Sequence, residues 1–303
     1  DLTENYNTGR AVLLKDRGIA SPWRTLDLIK TLKYMHRDDF IGSSAAIVHN
    51  GNSIRFVRNC LPKGVPVISV CHMEKLGRRL AADIILCLTE KQRSQALKEL
   101  GHRAAKKSIV ALGNPLTLDP IALPKELAWR RMRGKRLVVG TLSNLEDRKG
   151  LDVLIRALPL VRRVGIDMTI RFGGRGSKED ELRSQAAEMG VAEHVEFAGW
   201  ISDRHSYFSG LDLYCMPSRI EPFGLALIEA MSRALPVCAS DTEGPSEILR
   251  SGTVGWLFRS GDHQDLARSL IEMATNPAAS RSAAVAAADH VNDQYGAAAI
   301  ARR

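Results

Sequence analysis

The chain has 303 residues, 45% of them hydrophobic and 25% charged, so it holds enough apolar side chain for a core and is neither disordered nor fibrous. No apolar run approaches the ~18 residues of a membrane-spanning helix, and Asp1–Arg10 is too polar for a secretory signal. Lys and Arg number 43 against 34 Asp and Glu, a net charge of +9 that draws polyanions in general; with 5% aromatics there is no base-stacking platform, and nucleic acid is not an expected partner.

In chain order, the first strand candidate is Ala11–Leu14, which is short. The chain begins without Met, and the expectation is that the first strand and turn of this half are missing. Trp23–Arg37 reads as a basic amphipathic helix: Leu26, Leu28, Ile29, Leu32 and Met35 share one broad face. Trp23 and Tyr34 lie opposite with Lys30 and Arg37, a pattern that suits either a membrane interface or an ordinary surface helix. Strands are predicted at Ala45–His49, Val65–Val70, Asp83–Leu88 and Ser108–Leu112, with helices at Ser53–Cys60 and Lys91–Leu100.

Periodicity lapses from Gly113-Asn114-Pro115 through Pro120 and Pro124, so two α/β halves are expected to join near residues 113–135. The second half continues with strands at Leu137–Thr141, Met168–Phe172, Val195–Ala198, Leu213–Met216, Val237–Ala239 and Gly255–Phe258. Its helices are predicted at Leu151–Val164, Lys178–Met189, Arg204–Ser209, Gly224–Arg233, Ser246–Leu249 and Gln264–Ala274. Ser177 with Asp180, and Asp262 with Asp265, have capping-box spacing. Strands apolar throughout and alternating with helices mean parallel sheets covered on both faces. The five cysteines (Cys60, Cys71, Cys87, Cys215, Cys238) have no zinc spacing, and most lie in apolar strands, as buried thiols of a reducing compartment would.

Ligands of such sheets bind at the carboxyl ends of the strands. Three loops there carry chemistry. Asn144–Gly150 brings Arg148 and Lys149 to a helix start, either a diphosphate site or a solvated turn. Gly173-Gly174-Arg175-Gly176 permits close backbone approach to a ligand, or is a tight turn. Pro217–Met231 follows a strand directly and carries Glu221 in the loop and Glu229 in the helix beginning near Gly224. A carboxylate beside Ile228, Ala230 and Met231 needs hydrogen-bond donors, which sugar hydroxyls would supply.

Glu221 and Glu229 resemble the E-x7-E motif of the retaining glycosyltransferases of family four, which have the GT-B fold. Further stretches resemble the same family: Lys149–Ala157, Val195–Trp200, Ala234–Val237, Gly244–Ile248 and Gly255–Phe258, in order from about Leu137 to Pro277. More faintly, Pro66–His72, Ala82–Ile85 and Ile109–Pro115 match the family's first domain. The resemblance implies two Rossmann-like parallel-sheet domains facing a cleft, the first one incomplete. Its boundaries are expected at 1–118 and 119–280, with 281–303 a helix that returns toward the first domain and is cut short at Arg303.

The resemblance also implies roles. Glu229 would accept from the ribose hydroxyls, and Gly199, Trp200 and Ile201 would line the base. Glu221 would hold hydroxyls of the transferred sugar. The N–H groups of Phe223, Gly224 and Leu225 would face the sugar and distal phosphate. Arg148 and Lys149 would neutralise the departing diphosphate, the charge that glycosyl transfer must stabilise. His72 would lie near the anomeric carbon. No Asp-x-Asp pair precedes the site and the basic pair makes a metal unnecessary, so no cofactor is expected. One departure stands out: the family's Arg after the first strand of this domain is Thr141 here, so either Arg148 substitutes or donor binding is weaker.

The implied activity is metal-independent, retaining transfer of a sugar from a nucleotide donor, a UDP-sugar before a GDP-sugar. The acceptor would be a glycan or a lipid-linked glycan of cell-surface polysaccharide, the enzyme cytoplasmic and peripheral at the inner membrane face. A degenerate member that binds nucleotide or a partner without transfer is the alternative.

Overall fold

The computed structural model describes residues 42–72, 76–116 and 136–302. The strand Ala11–Leu14, the helix Trp23–Arg37 and the domain break at 118/119 lie outside them. The chain divides into two units, Asp1–Ala111 and Leu112–Arg303.

The first unit is a four-stranded parallel sheet in the order β1 (Ala46–Val48), β2 (Val67–Cys71), β3 (Ile84–Cys87), β4 (Ser108–Ala111). Helix α1 (Ile54–Cys60) follows β1, and α2 (Glu90–Leu100) links β3 to β4. Thr89 starts α2 by accepting from the N–H of Gln92 at 3.1 Å, while the buried Gln92 amide oxygen accepts from Leu88 at 2.9 Å. Val48, Ile54, Val57, Val67, Ile85, Ala96 and Leu100 form the core, with Cys60, Cys71 and Cys87 buried among them.

The second unit has six parallel strands: β5 (Arg136–Leu142), β6 (Asp167–Gly173), β7 (Val195–Gly199), β8 (Leu213–Met216), β9 (Val237–Ser240) and β10 (Trp256–Phe258). Their order is β10-β9-β8-β5-β6-β7. The chain lays down β5 to β7 outward on one side, then returns to set β8 against the other edge of β5. The β5/β8 junction is therefore the switch point at which doubly wound sheets open a crevice for ligands. All four residues of β8 and of β9 are buried, as a sheet covered on both faces requires.

Between the strands run α3 (Leu151–Arg163), α4 (Glu179–Glu188), α5 (Arg204–Ser209), α6 (Leu225–Ser232) and α7 (Glu243–Ile248); α8 (His263–Thr275), α9 (Pro277–Tyr295) and α10 (Ala297–Ala301) follow β10. Helix α3 buries Leu151, Val153, Leu154, Ile155, Leu158 and Val161, and packs beside α8. Helix α9 lies on α6, where Ala284 and Ala288 meet Ala234.

The predicted strands and helices that fall on described residues appear within a few residues of their expected limits. The capping boxes divide. Asp262 caps α8, accepting from Gln264 and Asp265 at 3.0 Å each. Ser177 caps nothing: α4 starts one residue later than a Ser177 cap would set it, with Lys178 in the cap position and no side-chain bond. The N–H groups there are taken by carbonyls instead: Lys178 donates to Leu145 at 3.1 Å and Glu179 to Gly176 at 3.4 Å.

Candidate active site

Two loops meet at the β5/β8 switch point. The loop after β5 runs through a 3-10 turn, Asp147–Lys149, to Gly150, whose φ of +62° lets the chain swing into α3. A Cβ on Gly150 would run into the carbonyl of Pro217, so a glycine is needed for the loops to touch. The cations thus stand in a turn before the helix rather than in its first residues. The loop after β8 is stitched to it: the N–H groups of Arg219 and Ile220 both donate to the Arg148 carbonyl, at 2.8 and 3.3 Å. The Arg219 guanidinium grips Asp152 at the start of α3 with two bonds of 2.7 Å and also reaches the Asp147 carbonyl at 2.9 Å. Burial pushes the Asp152 carboxyl up, but Arg219 and Arg156 outweigh it and hold it below the usual range.

This stitching brings Lys149 and Glu221 together. Lys149 Nζ donates to Glu221 Oε2 at 2.5 Å, and only 13% and 11% of the two side chains are exposed. Ser218 Oγ adds a donor to the same oxygen at 3.3 Å. Ser240 Oγ, at the end of β9, fixes the loop from below by donating to the Ser218 carbonyl at 2.5 Å. Arg148 instead pairs with Glu146, at 2.9 Å. Thr141 is buried near the end of β5, its carbonyl accepting from the Tyr207 hydroxyl at 2.6 Å.

Helix α6 starts at the end of the second loop. Gly224 precedes it with φ +115°, and Gly244 packs so close to Phe223 that any Cβ there would meet its backbone. Among the described residues, no group accepts from the N–H of Phe223, Gly224 or Leu225. A row of open donors at a helix start suits a negatively charged group. One turn along the same face as Leu225 comes Glu229, whose side chain is 0% exposed. Its Oε1 accepts from Arg204 Nη1, and its Oε2 has no partner among the described residues. Burial raises its carboxyl above the ordinary range, against the pull of Arg204 and Arg233. Arg204 carried no signal in the sequence: it is a surface-type residue on a short helix, 25 positions before its partner.

The glycine-rich loop after β6 has a structural purpose. A Cβ on Gly174 would strike the Ser143 carbonyl, and one on Gly176 the Leu145 carbonyl. The close approach expected for a ligand is made by the loop after β5. Gly199, with φ +68°, ends β7, and the next side chain, Trp200, is 69% exposed; Ile201 is partly buried.

His72 belongs to the first unit, at the end of β2. It stacks on His49, with ring centroids 5.0 Å apart and Nδ1 of His49 2.7 Å from its Nε2. One ring nitrogen of that pair must be unprotonated. Burial first, then His49 and Arg79, lowers the His72 value below its ordinary one. His49 was not singled out by its sequence context, a strand-end histidine like any other.

A doubly wound sheet with cation, carboxylate and open N–H groups gathered at its switch point defines a class of Rossmann-like α/β proteins. Within that class the chain belongs to the group 1 glycosyl transferases, whose family model matches residues 127–290. It is 34% identical over 214 residues to a phosphatidyl-myo-inositol mannosyltransferase of Mycobacterium leprae, covering 69% of this chain and 53% of that protein. It is 32% identical over 133 residues to the lipopolysaccharide core biosynthesis glycosyltransferase LpsE of Rhizobium meliloti, covering 44% and 38%. The crystal structure of Anabaena Alr3699/HepE in complex with UDP matches with a TM-score of 0.76 at 20% identity, over 91% of this chain and 80% of that one. The fold is the GT-B fold of these enzymes. The chain spans about half the length of the curated relatives it matches.

Proposed function

We propose that this protein transfers a sugar from a nucleoside-diphosphate donor to a glycan or lipid-linked acceptor, with retention of configuration, in glycolipid or lipopolysaccharide-type synthesis. The observation that carries the reading is the Lys149–Glu221 pair beside the open N–H groups that begin α6. Lys149, with Arg148 behind it, would take the diphosphate, and the charge that grows there as the glycosidic bond breaks would meet fixed cations. The N–H groups of Phe223, Gly224 and Leu225 would hold the distal phosphate and sugar. Glu221, released from Lys149 by the incoming phosphate, would accept from sugar hydroxyls. Glu229 Oε2 lacks a partner that a ribose hydroxyl would supply, with Gly199, Trp200 and Ile201 along the base. The donor phosphate itself would take the acceptor's proton on the face the leaving group departs from, with His72 orienting the sugar. Since Lys149 does the work of a metal, the reaction would need none.

UDP is the first candidate base, since the similar HepE structure holds UDP, and GDP is the second. A peripheral contact with an anionic membrane fits the charge of the first unit: residues 1–111 hold 19 Lys and Arg against 10 Asp and Glu. Among the described residues no helix is long and apolar enough to cross a membrane.

The test is a thermal-shift titration with UDP, GDP, ADP and their sugar conjugates, beside Glu229→Ala. A ligand that binds the native state raises its melting temperature. A shift with one nucleotide, lost in the variant, is the expected result. No shift with any of them would overturn the donor site and favour a member of the family that does not transfer.

A further inference from the structure

We infer that Arg204 is a positioning residue of the donor site: it meets the buried Glu229 as its counter-charge and ties up one carboxylate oxygen, leaving the other to a single ribose hydroxyl. The inference rests on the donor-site reading of Glu229.

Glu229 has no water to stabilise a charge. Its side chain is 0% exposed and its neighbours Ile228, Ala230 and Met231 are fully buried. A carboxylate in such a place sheds its charge by taking a proton unless a cation stands close. The closest is Arg204, in contact with Oε1. Arg233, at the end of α6, acts on it from a second direction. Arg233 is itself engaged by His205, whose Nδ1 lies 2.6 Å from Nη1; since a guanidinium only donates, that nitrogen of His205 is the acceptor and is unprotonated. From the sheet, β8 contributes the buried hydroxyl of Tyr214, which has no charge to offer. Glu221, in the loop before α6, adds negative charge, though Lys149 covers it.

The position of Arg204 is itself informative. It is the first residue of α5, which Asp203 caps by accepting from Ser206 N–H at 3.0 Å. A helix start is the wrong end for a cation, so the macrodipole does not hold Arg204 there. Its counter-charge is Glu229, and 42% of its side chain remains exposed. Arg204 therefore reaches Glu229 from the solvent side, and its removal opens no cavity in the core. With Oε1 taken by Arg204, the buried Oε2 is the one carboxylate oxygen left without a partner among the described residues, and the one left for a ribose hydroxyl.

Two measurements test this on the whole chain. First, the dissociation constants of UDP and of GDP are measured from about pH 6 to about pH 9 for the wild type, Arg204→Gln, Arg204→Lys and Glu229→Gln. The ionisation of the nucleotide's own phosphate is common to all four, so the ratio to wild type is the readout. The expected ratio for Arg204→Gln is a loss of about tenfold or more near neutral pH, closing as pH rises and Glu229 ionises. Arg204→Lys tracks the wild type, and Glu229→Gln is weak at every pH. A loss in Arg204→Gln that is the same at every pH, or no loss, overturns the inference. Second, the Glu229 carboxyl is followed by carbon NMR in the ligand-free protein, assigned by its absence in Glu229→Gln. Its titration must move to higher pH in Arg204→Gln; an unmoved titration overturns the inference even if nucleotide binding changes. If neither nucleotide binds the wild type but the titration moves, Arg204 keeps its role toward Glu229 and the donor-site reading falls alone.

Discussion

Lys149 and Glu221 occupy each other, and neither has much water to fall back on. On the proposed reading, binding a diphosphate would exchange one carboxylate for phosphate oxygens at Lys149, and a cation for hydroxyl donors at Glu221. Lys149→Ala takes away the charged bond to phosphate and leaves Glu221 buried without its cation. A charged hydrogen bond contributes ~1.5–3 kcal/mol, so nucleoside-diphosphate affinity should fall roughly 10- to 150-fold, read by calorimetry. Asp152 gives a second expectation at this scale. Its carboxyl is held below its ordinary value, so its pair with Arg219 stabilises the fold above the unfolded-chain value and loses that contribution as pH falls through the folded one. Asp152→Asn should cost about 1 kcal/mol near neutral pH, given the partial exposure of both partners. The difference in melting temperature from wild type should vanish in acid.

At the scale of elements, the pieces that carry their own punctuation were legible. The strand Leu213–Met216, the Pro217–Gly224 loop and the apolar helix after it follow one another in the sequence as in the fold, so both glutamates could be singled out. Arg204 and His49 were not legible, because each acquires its meaning from a partner on another element that the sequence does not place beside it. The loop Gly173–Gly176 was legible as a close approach but not as to what approaches, since glycine records only the absence of room. That distinction is testable. Gly174→Ala adds a methyl where φ is +124° and a backbone oxygen already sits, and should destabilise by about 3 kcal/mol or more, read from the denaturant midpoint. If the loop were open for a ligand, stability would hardly change and only binding would suffer.

For the whole molecule, charge is divided far more sharply than the net +9 suggests. Residues 42–111 carry 12 Lys and Arg against 4 Asp and Glu, whereas residues 136–303 carry 19 against 22. Vesicles of phosphatidylglycerol and phosphatidylcholine should therefore bind the chain at low salt and release it as the Debye length shrinks, from ~10 Å at 0.1 M to ~3 Å at 1 M. Phosphatidylcholine alone should not bind, and salt-independent binding would point to an apolar insertion instead. The parallel α/β architecture was legible from the alternation of apolar strands and helices; the strand order β10-β9-β8-β5-β6-β7 was not, because nothing local to β8 says that it returns to β5. The segment that enters the second unit adds a packing consequence. Gly113 has no side chain because Tyr295 and Phe223 fill the space, Cε1 of Tyr295 lying 2.6 Å and Cε2 of Phe223 3.0 Å from where its Cβ would be. Three residues on, Leu116 N–H is anchored to the Tyr295 carbonyl at 2.6 Å, and the Tyr295 ring meets Phe223 edge-on at 5.5 Å. Phe223 in turn offers its backbone N–H at the start of α6. Gly113 thus packs directly on the two rings that back the start of α6, and a side chain there would have to displace Tyr295 or Phe223.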